Sequence, residues 1–107
     1  EMDVRFVYMT AGSLDEARKI ARELVEAKLA ACVNLIDNMN SFYLWDGRLQ
    51  DDREVVLIAK TTAARIADLT ARVRAIHSYD CPCVVSLPVD GGNRAFLDWI
   101  AAEVNAV

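Results

Sequence analysis

The stretch that most constrains the fold runs from Leu29 to Thr62, LAACVNLIDNMNSFYLWDGRLQDDREVVLIAKTT. It reads as two long strands joined at Asp46-Gly47, because Asp-Gly best tolerates positive φ at both centres of a type I′ turn. Arms rich in Val, Ile, Tyr, Phe and Trp have β character. Each arm runs to about a dozen residues, against a typical five or six. With Asp46-Gly47 as the loop and no bulge, Leu35 faces Ile58, Val33 faces Lys60 and Tyr43 faces Gln50. The acidic run Asp51-Asp52-Arg53 is where a bulge or bend would fall. In a chain of 107 residues, a hairpin this long sends its tip beyond the body of one small domain.

The elements around it follow from periodicity and caps. Asp3–Thr10 reads as a strand, with Val4, Phe6 and Tyr8 alternating against Arg5, Val7 and Met9. Ser13-Leu14-Asp15-Glu16 is a capping-box signature. Helix one then runs from Leu14 to Lys28, with Ala17, Ile20, Ala21, Leu24 and Val25 on one stripe. Helix two spans about Thr62 to His77, with Ile66, Leu69, Val73 and Ile76 inward. Ser78–Pro82 connects to a strand at Cys83–Val89. Pro88 lacks an amide donor, so this strand lies at an edge or stops there. Asp90-Gly91-Gly92 turns the chain. Asn93 caps a last helix, Arg94 to about Val104, with Phe96, Leu97, Ile100 and Val104 inward.

The order β-α-β-β-α-β-α predicts one α+β domain over residues 1–107. Its first six elements match the ferredoxin-like split βαβ unit, an antiparallel sheet with both helices on one face. The last helix is an addition. The sheet poses a problem, because Val55, Leu57 and Ala59 point one way while Val56 and Ile58 point the other. Helices cover one face only, and the other is expected to be polar. Here it is apolar, so something must cover it, and a second copy of the chain is the simplest cover.

Charge and cysteine usage narrow the partners. Apolar residues make up 54% of the chain and net charge is −4. An acidic domain without a Lys/Arg cluster is a poor nucleic-acid binder, since phosphate attraction supplies most of that affinity. It also lacks the basic face of a membrane-surface protein, and its longest apolar run, Val55–Ala59, is far too short to span a bilayer. Glu1-Met2-Asp3 shows no leader-like pattern. Cys32, Cys81 and Cys83 are an odd set with two thiols one residue apart, which argues for reduced cysteines and a cytoplasmic home.

Several segments together resemble the CutA family, the divalent-ion tolerance proteins. They are ARELVEAKLAACVN (Ala21–Asn34), SFYLWDGRLQDDREVVLIAKT (Ser41–Thr61), HSYDCP (His77–Pro82), LPV (Leu87–Val89) and FLDW (Phe96–Trp99). Each is weak alone, and the ordered set is specific. The resemblance implies a ferredoxin-like chain that trimerises through its sheets. It implies a link to copper and other divalent metals, Cu²⁺ binding included, and carries no established catalytic reaction. Cys32 matches the family's AACVN, Tyr43 and Trp45 its Y-x-W-x-G, Lys60 its KT, and Trp99 its closing segment. His77, Tyr79 and Asp80 match H-P-Y-E, with Ser78 in place of Pro and Asp80 in place of Glu. Cys81-Pro82-Cys83 departs from the family pattern, bringing two thiols into a region of carboxylate and imidazole.

His77, Cys81 and Cys83 form H-x₃-C-x-C, a pattern for a soft metal such as copper(I), with Cys32 and Asp80 as further candidate ligands. Alternate residues of a strand share a side, so both thiols can face one ion. The competing reading has His77 stabilising the end of helix two and the thiols packed inside. Copper or another soft or divalent metal is the expected cofactor, and none is obligatory. Cys32 opens an apolar strand and reads first as core. Lys60 ends one, so its ammonium needs a partner from Asp80, Asp37, a neighbouring chain or a ligand anion. Tyr43, Trp45, Tyr79 and Trp99 are interface anchors or the walls of a ligand cleft.

Other classes fit less well. An RNA-binding RRM needs stacking aromatics on its third strand, and Glu54–Lys60 (EVVLIAK) has none. A heavy-metal-associated domain needs C-x-x-C after strand one. An acylphosphatase needs a basic anion cradle there. The remaining rival is a PII-like trimeric regulator, which would bind a small anion at Lys60 or at the Gly91-Gly92 turn.

Overall fold

The structure, a computed structural model, describes residues 3–105. Glu1 and Met2, on which the reading of a missing leader rests, lie outside the described residues. Strand β1 spans Val4–Ala11, helix α1 Leu14–Glu26, β2 Cys32–Trp45 and β3 Arg48–Thr62. A 3₁₀ turn at Ala63–Arg65 leads into α2, Ile66–Ile76, followed by β4, Val84–Pro88, and α3, Arg94–Glu103. The strands form one antiparallel sheet in the order β2-β3-β1-β4. This is the ferredoxin-like arrangement, with Pro88 on an edge strand as its missing donor requires. Among the described residues no helix is long and apolar enough to cross a membrane.

The hairpin is as long as its sequence predicts, 14 residues in β2 and 15 in β3. Asp46 and Gly47 turn it with φ of 52° and 74°, the two positive values a type I′ turn needs. Near the tip Tyr43 faces Gln50, as expected. Deeper in, Leu35 pairs with Leu57 and Val33 with Ala59, one residue away from the bulge-free register. The shift falls between Ile36 and Met39, where Asp37 and Asn38 together stand opposite Val55. Asn38 takes φ 69°, a left-handed conformation that Asn tolerates better than most residues. Its side chain also accepts from Arg53 across the strands. The irregularity therefore sits in β2, and the acidic run 51–53 pairs regularly with Asn40, Ser41 and Phe42. The molecule extends 45 Å along its longest axis and 21 Å along its shortest, so the tip overhangs the body.

Both first-strand alternations find partners. Val7, Met9 and Ala11 join Leu57 and Ala59 under Ile20, Leu24, Leu69 and Val73 in the main core. Each of the Val, Leu, Ile and Met side chains, fully buried, contributes about 1.5–3 kcal/mol through lost apolar surface. Helix α1 starts at Ser13, whose hydroxyl accepts the Glu16 N–H at 3.1 Å. It ends at Glu26, two residues early, because Lys28 turns left-handed at φ 60°. Val4, Ile100 and Val104 are buried outside the main cluster, where α3 meets β1 and β3. Phe96 does not face inward: it is 43% exposed and stacks on Trp99 with ring centroids 5.6 Å apart.

Cross-strand partners share a face. Thus Phe6, Tyr8, Ile36, Ile58, Val85 and Leu87 line the face opposite the main core. Ile36 is 54% exposed and Val85 50%. Phe6, Tyr8 and Ile58 are half-buried, while Ile36, Val85 and Leu87 are left open among the described residues.

Candidate functional site

A cleft of 470 Å³ opens on the face opposite the main core, where the overhanging hairpin meets the connector between α2 and β4. Glu54 forms its floor. The residue is only 9% exposed, and the bulge-shifted hairpin places it opposite Met39. Both carboxylate oxygens accept hydrogen bonds, Oε1 from the Ser41 hydroxyl at 2.7 Å and Oε2 from the Tyr79 hydroxyl at 2.9 Å. Tyr43 donates to Asp52 at 2.6 Å one step up the hairpin. Trp45, Asp80 and the two thiols Cys81 and Cys83 complete the rim.

Tyr79 is fixed from three sides. Its hydroxyl is held by Glu54, and its N–H donates to His77 Nδ1 at 3.0 Å. A Cβ at Gly12 would stand 3.2 Å from the phenol oxygen, so glycine there leaves the ring its place. Burial, then the hydrogen bond and charge of Glu54, push the Tyr79 phenol far above its ordinary value. Burial and the same carboxylate push the Cys83 thiol up. The hydrogen bond to Asp52 raises Tyr43. All three groups therefore hold their protons more firmly than in water.

His77 turns away from the thiols. Its side chain is 1% exposed, and Nε2 lies 2.8 Å from the Thr10 carbonyl oxygen. With the proton on Nε2, that nitrogen donates to Thr10 while Nδ1 accepts from Tyr79, which leaves no free lone pair for a metal. H-x₃-C-x-C is therefore not brought together as a three-ligand set. Among the described residues no group of three His, Cys, Asp or Glu could hold a metal ion. Asp80 and Cys81 are exposed on the cleft rim.

Cys32 and Lys60 lie elsewhere. They pair in register on the open sheet face, with Lys60 Nζ 3.8 Å from Cys32 Sγ. Cys32 is thus half-buried outside the main core, a correction that follows from strand alternation. Lys60 is met by Asn34 and by the Phe6 ring, 6.0 Å away, rather than by Asp80 or Asp37. Trp99 stacks on Phe96 and does not line the cleft.

Glu54, Ser41 and Thr10 escaped the sequence reading of the site. A signal for Glu54 existed: the Tyr43–Gln50 pair puts Glu54 on the same face as Tyr43, four residues along β3 from Gln50. Nothing local announced that Tyr79 would reach it.

Residues 5–103 match the family model described as CutA1 divalent ion tolerance protein. The divalent-cation tolerance protein CutA of Archaeoglobus fulgidus is 44% identical over 99 residues, covering 92% of this chain and 96% of that protein. The chloroplastic protein CutA of Arabidopsis thaliana is 42% identical over 94 residues, covering 88% of this chain and 52% of that protein. Among solved structures, the divalent cation tolerance protein of Thermus thermophilus superposes with a TM-score of 0.92 at 42% identity, covering 94% of this chain and 97% of that one.

Proposed function

The chain belongs to the family of CutA1 divalent ion tolerance proteins, and on that premise we propose that it serves divalent-ion tolerance as a homotrimeric binding protein rather than an enzyme. The observation that carries the assembly is the uncovered apolar face of the sheet. Packing those faces together removes Ile36, Val85 and Leu87 from water. The overhanging hairpin then reaches a neighbouring copy, with Trp45 as its aromatic anchor. Closed cyclic symmetry suits such a surface, and three copies is the number the family resemblance implies. Light scattering at micromolar concentration checks it: a mass of three chains is expected, and folded monomer overturns the reading.

The metal reading narrows to Cys81 and Cys83, which both line the cleft but precede β4, so strand alternation does not place their thiols on one side. The residues present do not fit a ligand set that includes His77, because both ring nitrogens are engaged. Two thiolates suit a soft ion of low coordination number, copper(I), and fall short of the four ligands of a structural zinc site. Three free cysteines fit a reducing compartment, and we assign the protein to the cytoplasm. An anion-sensing role at the Gly91-Gly92 turn or at Lys60 is less well supported, since Arg94 beside that turn is paired with Asp98 at 3.3 Å, Asp90 lines the same hollow, and Lys60 is met by Asn34.

A further inference from the structure

Glu54 is a buried carboxylate without a cation. Among the described residues no salt bridge reaches it, and its partners are two neutral hydroxyls. Burying a carboxylate is costly unless an opposite charge or a full set of donors replaces water. Each Glu54 oxygen takes one donor and has a second lone pair to offer. We propose that this cleft binds a small organic cation, an alkylammonium or guanidinium, with its nitrogen on Glu54 and its body against Tyr43 and Tyr79.

The walls suit such a guest. Aromatic faces attract cations through the ring quadrupole, and most strongly where water is excluded. Tyr43 and Tyr79 are held in place by Asp52 and Glu54, so little ordering is left for binding. Asp80 adds a second negative group at the rim. The volume of 470 Å³ lies within the range of small-molecule sites. A phosphate or nucleotide would meet carboxylates and no counter-charge. A hard divalent ion would want more oxygen ligands than Glu54 and Asp80 supply, whereas a nitrogen cation needs one carboxylate and a π face. The proposal goes beyond the metal reading and does not depend on it.

The test is calorimetric titration of the whole protein with butylammonium and with methylguanidinium, alongside inorganic phosphate and magnesium. Saturable binding of an organic cation at one per chain is expected, with none for phosphate. Glu54→Gln should weaken it at least about tenfold. In wild type, amide shifts on titration should map to Tyr43, Glu54 and Tyr79, which reads the site even should Glu54→Gln fold poorly. No saturation by either cation overturns the proposal. Shifts mapping elsewhere, or binding unchanged in folded Glu54→Gln, overturn it as well. The two readings separate by residue: Glu54→Gln should weaken the organic cation, whereas loss of copper(I) binding should follow replacement of Cys81 and Cys83.

Discussion

Glu16 holds Ser78 twice: Oε2 accepts the Ser78 N–H at 2.7 Å and Oε1 accepts its hydroxyl at 2.9 Å. A residue from the first turn of α1 thereby anchors the connector that carries Tyr79 and both cleft thiols. Burial alone would push this carboxyl up. The Ser78 bonds and the Gly12 N–H outweigh it and hold Glu16 below its usual value. A depressed folded-state pKa stabilises the fold above the unfolded value, and that contribution is lost as pH falls through the folded one. Glu16→Gln should therefore cost roughly 1–3 kcal/mol near neutral pH. The gap to wild type should close in acid, below the ordinary carboxylate range. Urea melts across pH measure it, and a gap independent of pH would refute the linkage.

Trp45 is 59% exposed in the single chain. As an interface anchor it should be buried by a neighbour, and Trp45→Ala should then cost on the order of 2–4 kcal/mol per site. The expected sign is dissociation on dilution, seen by sedimentation. Unchanged assembly and melting temperature would leave Trp45 as a cleft or surface residue.

Val85 sits half exposed on the open face of the edge strand. In an isolated chain a charge there would cost on the order of 1 kcal/mol through lost strand propensity. Inside an apolar trimer seam it would be buried and unpaired. Val85→Asp should therefore yield monomer or fail to accumulate. A trimer with wild-type melting would show that this face is not the seam.

Copper(I) binding at Cys81 and Cys83 must displace thiol protons. Burial and the Glu54 charge raise the Cys83 thiol, so thiolate forms late and affinity should climb as pH rises from neutral to alkaline. Titration under a competing chelator reads this. Replacing Cys81 and Cys83 together by Ser should abolish one equivalent. Affinity that survives the double replacement would exclude the pair and direct attention to Cys32.

The residues that sequence reasoning placed well are those governed by near neighbours. Asp46-Gly47 turns as a type I′ hairpin because its own backbone preferences demand it. Ser13 caps α1 because the Glu16 amide is three residues away. The stripes Ile20–Leu24 and Leu69–Val73 are buried because helical periodicity already aligned them. The two-faced β3 told of an uncovered sheet face before any coordinate did.

Other features needed the packed molecule. Asn38 takes the bulge because cross-strand pairing at both ends of the hairpin forces one residue of slack, and Asn tolerates positive φ. Glu16 could reach back along its own helix or across to Ser78, and only the docking of the connector decides. The pattern H-x₃-C-x-C is visible in the chain, yet His77 spends its ring on a carbonyl 67 residues away. Glu54 is an unremarked acid in sequence and becomes the floor of a cleft when Tyr79, 25 residues on, closes over it. Turns, caps and faces are short-range energies that the chain writes locally. The bulge, the histidine's tautomer and the buried carboxylate depend on which distant groups replace water, and folding alone brings those groups together.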